Sequence, residues 1–242
     1  MPIISNPAGG AGFGRNQFMD MPIQERGASW FDDFDRLDPN INNAGWEYRT
    51  RWTDPEIEFG INAGKYLYLK DIGGSGTPAE TGVLSEAGLW KNPYGQSPYK
   101  KPNGIKLRLD GVKATNNGSR GAIGFCNLDR ATAAGMTNCV TFNLTTNIVG
   151  FQYYVATVNN GGTADTNDIG NAGSNSEVNL TITIPADRYP VFTFQNAMGG
   201  AVTTYRSKLE AAGTTPYAFM IDCRLVEAAA EIRLGRLGIE YF

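Results

Sequence analysis

Histidine is absent from the 242-residue chain, and cysteine occurs only three times. The lack of histidine excludes Ser-His-Asp and Cys-His catalysis, His-ligated zinc and imidazole acid–base chemistry. Cys126, Cys139 and Cys223 are separated by 13 and 84 residues. This spacing matches neither a CxxC metal pair nor a disulfide framework, so we expect buried, reduced thiols. The sequence therefore predicts no catalytic residue, no metal site and no cofactor.

Long apolar runs and strong net charge are also missing. No run of about 18 apolar residues is present, as a membrane-spanning helix would need, and no signal-peptide pattern opens the chain. The net charge is −3, and the sequence pI is about 5.1. Since this balance offers no broad basic surface, we expect neither a membrane nor direct nucleic acid as a partner. Folding in a cytoplasm is the corresponding expectation.

The charges are unevenly distributed along the chain. Residues 1–60 contain 10 acidic and 5 basic side chains, whereas residues 61–120 contain 4 acidic and 9 basic ones. Opposite charge in neighbouring stretches is compatible with docking of one stretch on the other, and a solvated charge bias without a partner is the simpler interpretation. The pattern leaves open whether this docking occurs within one subunit or between subunits.

Turn-forming and strand-forming residues dominate what is present. The chain contains 30 glycines and 12 prolines, and aromatic residues make up 11% of it. Apolar and polar residues alternate most cleanly over 105–110, 140–145, 178–184 and 217–225, a pattern typical of antiparallel strands with one wet face. Nine strands are predicted in the body of the chain, at 65–70, 104–110, 121–126, 139–145, 147–158, 177–184, 190–195, 217–226 and 231–241.

These strands predict an all-β fold, an antiparallel β-sandwich of jelly-roll type with an extended N-terminal arm and a few short helices. One short helical piece is expected near residues 205–212. The strand at 149–158 carries bulky residues on both faces, so it should be central in its sheet or covered on its outer side. A bulge is expected near Gly235 and Arg236, because the apolar residues change parity there.

The first sixty residues are predicted to form an extended arm and docking segment, and residues 61–242 to form the sandwich domain. Residues 1–28 lack strand or helix periodicity and are rich in glycine, so this stretch cannot bury itself.

Aromatic residues follow the arm. Trp30, Phe34 and Leu37 are spaced at i, i+4 and i+7, which predicts a short amphipathic helix over residues 30–37. A strand-like run then covers residues 46–61. Aromatic side chains on a segment that follows a flexible arm are typical anchors for a partner surface. The predicted partner-binding residues are Phe13, Phe18, Trp30, Phe31, Phe34, Trp46 and Trp52.

Two patterns resemble catalytic or metal sites. Glu56 and Glu58 lie at i and i+2 on a predicted strand, so their carboxylates share one face, as a glycosidase requires. A solvent-facing strand edge is the simpler interpretation. Residues 163–170 partly resemble a calcium loop, but Ile169 occupies a ligand position and the later bidentate glutamate is missing. We therefore interpret residues 159–175 as a long, flexible polar tip.

Four segments together resemble virion proteins of tailed bacteriophages, most closely capsid decoration (cement) proteins. They are the arm 2–14, the aromatic segment 30–52, the tip 159–175 and the terminal strand 231–242. The resemblance implies a non-enzymatic protein that stabilises a capsid lattice through its N-terminal arm. The implied partner is the major capsid protein, the implied assembly is a homotrimer, and the implied location is the virion surface after synthesis in the host cytoplasm.

Three alternatives stay open. The first is a glycan-binding module of a phage fibre or spike, with Tyr94, Tyr99 and Tyr153 as surface aromatics. The second is a glycoside hydrolase that uses Glu56 and Glu58. The third is a jelly-roll major coat protein, which the lack of a strongly basic arm disfavours.

Overall fold

The structure is a computed structural model, and it describes twelve stretches of the chain. They are residues 29–32, 46–49, 57–62, 66–71, 79–85, 104–115, 119–127, 138–147, 150–196, 199–212, 217–225 and 231–241. These residues form sixteen β-strands in two antiparallel sheets. None of these residues lies in a helix, so the described part of the chain contains no membrane-spanning helix.

Sheet A contains nine strands and is built around the long strand β6. Its main path runs in the order β13, β12, β11, β6, β15, β4, β3, while β16 pairs with both β6 and β1. The strands are β1 (Ser29–Asp32), β3 (Ile57–Asn62), β4 (Tyr66–Asp71), β6 (Gly104–Thr115), β11 (Glu177–Pro185), β12 (Val191–Asn196), β13 (Val202–Arg206), β15 (Glu231–Leu234) and β16 (Arg236–Tyr241).

Sheet B contains seven strands in the order β10, β9, β8, β7, β14, β5, β2. Every pair is antiparallel. The strands are β2 (Trp46–Arg49), β5 (Ala79–Ser85), β7 (Ser119–Asn127), β8 (Cys139–Asn147), β9 (Gly150–Val158), β10 (Asp165–Gly173) and β14 (Tyr217–Leu225).

The core lies between the two sheets. Alternate residues of β6, β8, β9, β11 and β12 point inward and are almost completely buried. Phe142 of β8 meets Phe192 of β12 with ring centroids 5.4 Å apart, and Tyr153 of β9 meets Phe194 of β12 at 5.3 Å. Because each pair joins a strand of sheet B to a strand of sheet A, the molecule is a β-sandwich, as the sequence predicts.

At one side of the sandwich, the carboxylate of Asp165 links β10 of sheet B to β13 of sheet A. We call this set of hydrogen bonds the clamp. Asp165 begins β10 and accepts hydrogen bonds from the Tyr205 hydroxyl (2.9 Å), the Ser207 hydroxyl (2.8 Å) and the Lys208 amide (2.7 Å). Burial alone would raise the pKa of Asp165, but these donors outweigh it and lower the pKa. The clamp links the edge strand of sheet B to the edge strand of sheet A.

The predicted strands are confirmed, but the predicted bulge near Gly235 and Arg236 is a break between two strands, across which the register with β6 is unchanged. All nine predicted strands are present, and the last one is divided at Gly235 into β15 and β16. The strand predicted over 147–158 is β9, which lies between β8 and β10, and its outward-facing Ala156 is buried. Cys139 is a free, buried thiol, as expected, and burial raises its pKa.

Three local predictions are wrong. Ser29–Asp32 is a strand rather than the start of a helix, because it pairs with residues 237–240 of β16 and tertiary pairing overrides local periodicity. The helical piece expected near 205–212 is also absent: residues 202–206 form β13 against β12. The polar tip expected over 159–175 instead contributes the edge strand β10.

The predicted arm 1–28 and the remainder of the predicted helix lie outside the described residues. Strands β1, β2 and β3, all within the first 62 residues, pair with strands of the body. The domain boundary at residue 60 stays a prediction.

Candidate functional site

A polar surface lies on the outer side of sheet B across its last three strands. The antiparallel register aligns two rows of residues across β8, β9 and β10. One row is Asn143, Tyr154 and Asp168, and the other is Thr145, Gln152 and Asn171. We call these six residues the β8–β10 face.

The alternation of each strand gives this surface its polarity. Phe142 and Leu144 of β8 are buried in the core, as are Tyr153 and Val155 of β9. Since successive side chains of a strand point to opposite sides, the residues between them face outward. Cross-strand partners lie about 5 Å apart, so each row is close enough to contact one small ligand.

Asp168 is held in a fixed orientation. Its carboxylate accepts a hydrogen bond from the Gln152 side-chain amide (2.5 Å) and another from the Gly170 backbone amide (3.1 Å). A bulge at Ile169, between Asp168 and Gly170, shifts the β10 register and tucks the Ile169 side chain into the core. Bulges re-aim side chains in this way at many functional sites.

Gly170 is required by the packing beneath the bulge. A Cβ atom at this position would lie 2.6 Å from the ring of Phe194, closer than any normal contact. The absence of a side chain therefore lets the core ring and the bulge occupy adjacent positions.

The residues on the outer side of β8, β9 and β10 differ in their exposure to solvent. Asp168 and Asn171 are exposed, and the remaining four residues are partly exposed. Thr141 and Ala156 lie on the same outer side but are only 1% and 6% exposed. The accessible part of this surface is therefore the end nearest β10.

The chemistry of this face suits a ligand with many hydroxyl groups. Three side-chain amides donate and accept hydrogen bonds, the threonine hydroxyl does both, and the oriented carboxylate accepts further ones. The tyrosine ring offers a flat apolar surface next to these groups. Among the side chains that the structure describes on this face, Asp168 carries the single charge.

The aromatic residues predicted for glycan binding lie elsewhere. Tyr153 is 0% exposed, and its hydroxyl has no hydrogen-bond partner among the described residues. Its prediction as a surface aromatic is wrong, because it has the inward parity of β9. Tyr94 and Tyr99 lie outside the described residues. Tyr154 follows Tyr153 in β9 and points outward. It is the aromatic residue of this face that the sequence pattern does not reveal.

The predicted acidic sites are not brought together in the described part of the chain. Glu58 lies in β3, where its backbone pairs with that of Lys70. Glu56 lies outside the described residues, so the hydrolase alternative stays a prediction. In the calcium-like segment, Asp165 is occupied by the three donors of the clamp. The described residues contain no group of three or more acidic, cysteine or histidine side chains placed to hold a metal.

The predicted partner anchors are only partly described. Trp30 and Phe31 lie in β1 and Trp46 lies in β2. The four other anchors, which are Phe13, Phe18, Phe34 and Trp52, lie outside the described residues. Partner binding by these aromatics stays a prediction.

Comparison with solved structures identifies lectin-like sandwiches. Peanut lectin with a nine-residue peptide has a TM-score of 0.62 at 10% identity, covering 90% of this chain and 98% of that one. The lectin UEA-II complexed with galactose has a TM-score of 0.61 at 9% identity, covering 90% and 100%. A structure from work on endo-acting O-glycanases of the human gut microbiota has a TM-score of 0.63 at 14% identity, covering 88% and 98%.

At these identities the similarity establishes the fold, an antiparallel sandwich of the legume-lectin type. No family model and no curated protein matches the sequence.

These comparisons overturn the main functional prediction. The similar structures include lectins, carbohydrate recognition domains and a protein from work on O-glycanases, and none of these is a phage capsid protein. The prediction of a capsid decoration protein is therefore wrong, and the glycan-binding alternative is the better supported one. The capsid prediction was based on a general resemblance of sequence segments that contains no diagnostic motif. The bacteriophage setting, the trimer and the location stay untested predictions.

Proposed function

We propose that the protein is a glycan-binding module that recognises a neutral, hydroxyl-rich sugar through the β8–β10 face. The observation that carries this proposal is the fixed Asp168 carboxylate next to the Tyr154 ring. Two of its acceptor positions are used by Gln152 and Gly170, so others remain for sugar hydroxyls. Asn143 and Asn171 extend the same hydrogen-bonding surface on either side.

The orientation of Asp168 lowers the cost of binding. A carboxylate already fixed by two hydrogen bonds loses little freedom when a ligand arrives. Tyr154 adds a rigid ring against which the C–H face of a pyranose packs. Both features favour a hydroxylated ring over a flexible peptide.

The charge of this face favours a neutral ligand. A nucleic acid or a strongly acidic polymer would meet Asp168 without a compensating cation among the six residues. Binding rather than hydrolysis is proposed, because most glycosidases need two carboxylates flanking the scissile bond and the described side chains of this face provide one. The lectin-like neighbours support the same function.

A glycan array tests the proposal. The full chain should bind at least one neutral glycan, and Asp168→Asn and Tyr154→Ala should each weaken that binding by about tenfold or more. Circular dichroism and thermal unfolding should show that both variants keep the wild-type fold, since both side chains are outside the core.

Tyr153→Phe is the matched control for Tyr154→Ala. It changes the neighbouring tyrosine on the buried side of the same strand, so glycan binding should be unchanged. The proposal fails when the array shows no neutral ligand, or when the selected glycan binds equally well to both face variants.

A further inference from the structure

A pocket opens on the outer side of sheet A, where β6 changes its partner from β16 to β15. Gly111 of β6 adopts a left-handed conformation (φ +67°), and its amide donates to the Asn179 side chain at 3.1 Å. Opposite it, the Gly235 amide donates to the Asp110 carbonyl at 3.1 Å. These paired irregularities interrupt the ladder and leave a cavity of about 330 Å³. This volume is in the range of small-molecule sites.

One wall of the cavity is rigid. The Arg233 guanidinium lies over the Tyr66 ring, 4.5 Å from its centroid, and donates to the Glu231 carboxylate at 2.6 Å. The Tyr66 hydroxyl in turn accepts a hydrogen bond from Asn62 at 3.3 Å. Since the charge of Arg233 is neutralised by Glu231, Arg233 forms part of the wall. Binding of a charged group of the ligand is left to other residues.

The other charged residues of the cavity are less engaged. Within the part of the chain that the structure describes, the side chains of Lys113, Arg236 and Glu177 form no hydrogen bond or ion pair. The Asp110 carboxylate lies 3.6 Å from the Arg108 guanidinium. This ion pair is weak because both side chains are partly exposed to solvent. The cavity thus presents two uncommitted cations and one uncommitted carboxylate side by side.

We propose that this cavity binds a sugar acid, a pyranose unit that carries one carboxylate. We call it the bulge pocket, and its working residues are Tyr66, Asp110, Lys113, Glu177, Arg233 and Arg236. Lys113 and Arg236 bind the ligand carboxylate, for which Arg offers a bidentate partner. Glu177 and Asp110 accept hydrogen bonds from the ring hydroxyls.

The mixed charge selects against other anions. Arg233 is paired with Glu231, and Asp110 is paired with Arg108. The uncommitted side chains of the lining are therefore Lys113, Arg236 and Glu177, and their excess is a single positive charge. This excess matches the charge of a monoanion, whereas a phosphate dianion carries more charge than the excess and is repelled more strongly by Glu177 and Asp110. A simple carboxylate without hydroxyl groups would leave both acidic side chains unused.

The bulge pocket and the β8–β10 face lie on opposite outer sides of the sandwich, so this proposal does not rest on the proposed function. Variants separate the two. Asp168→Asn should leave sugar-acid binding unchanged, and variants of the bulge pocket should leave neutral-glycan binding unchanged.

Calorimetric titration of the full chain with D-glucuronate tests the proposal. Glucuronate should bind at least about tenfold more tightly than D-glucose, glucuronic acid methyl ester or acetate. Lys113→Gln and Arg236→Gln should each weaken glucuronate binding by about tenfold. Lys106→Gln is the matched control, because Lys106 lies on the same strand and the same face as Lys113 but outside the pocket.

A titration with a glucuronate-terminated disaccharide separates the two possible sources of the ligand. Equal or tighter binding than the free acid assigns the pocket to a chain end, and weaker binding assigns it to the free sugar acid. The proposal is overturned when glucuronate binds no better than glucose or acetate, or when Lys113→Gln and Arg236→Gln both retain wild-type affinity.

Discussion

At the scale of single residues, Gly170 connects the core to the candidate glycan site. The Phe194 ring fills the space in which a Cβ atom at position 170 would lie. The same residue donates its amide to Asp168 on the outer side. One residue without a side chain thus supports both the packing of the sandwich and the orientation of the carboxylate.

Gly170→Ala should therefore destabilise the fold by about 1–3 kcal/mol, the usual cost of overpacking. Urea unfolding at neutral pH measures this change. The same variant should weaken glycan binding, because relief of the clash displaces the bulge that holds Asp168.

Gly173→Ala on the same strand provides the control. There the added Cβ would meet only the Ser176 hydroxyl, at 3.1 Å, and that side chain is free to rotate. A Gly170→Ala variant as stable as Gly173→Ala would show that the contact with Phe194 does not constrain this position.

The two adjacent tyrosines of β9 show how far single residues are predictable. The sequence predicts a strand at this position but not which parity faces the core, because bulky residues occur on both sides. Only the pairing with Phe194 assigns Tyr153 to the interior and Tyr154 to the surface. The candidate site could not be identified from the sequence because its rows depend on the register of three strands.

At the scale of elements, the clamp on Asp165 determines how β10 is held at the edge of the sandwich. Edge strands are the least protected part of a sheet, since one side has no backbone partner. The three hydrogen bonds to one carboxylate join β10 to residues in and just after β13. The clamp adds to the backbone pairing with β9 in holding the strand that carries the candidate glycan site.

The clamp predicts a pH dependence of stability. Its donors lower the pKa of Asp165 below the ordinary value of 3.8. Its stabilisation is therefore fully present above that value and is lost as pH falls through the lower folded-state pKa. Asp165→Asn should be less stable than wild type near neutral pH, and the difference should shrink in strong acid.

Urea unfolding midpoints of both proteins, measured from about pH 7 to about pH 2, test this expectation. Tyr205→Phe removes one of the donors and keeps the other two, so its deficit at neutral pH should be the smaller one. A gap between wild type and Asp165→Asn that stays constant over the whole range would contradict the clamp.

Elements with strong alternation were predictable, and elements defined by partners were not. Residues 178–184 alternate over seven positions, and they form β11 as expected. Residues 165–173 are polar and lack that alternation, so their sequence predicts a loop. They form β10 because they pair with β9. Ser29–Asp32 is a strand because the end of the chain provides its partner.

At the scale of the whole molecule, the fold followed from composition and alternation, but the function did not. A sandwich of antiparallel sheets is compatible with capsid, lectin and enzyme functions alike. What distinguishes them is the chemistry of the outer faces. Here one face carries oriented hydrogen-bonding groups around a tyrosine ring, and the other carries the charged bulge pocket.

Glycan binding by the β8–β10 face can be tested residue by residue. The most direct measurement is a nuclear magnetic resonance titration of the isotope-labelled full chain with the neutral glycan selected by the array. The largest amide shifts should fall on Asn143, Gln152, Tyr154, Asp168 and Asn171, and the amides of the bulge pocket should not shift. Shifts confined to other strands, or none at saturating glycan, would contradict binding by this face.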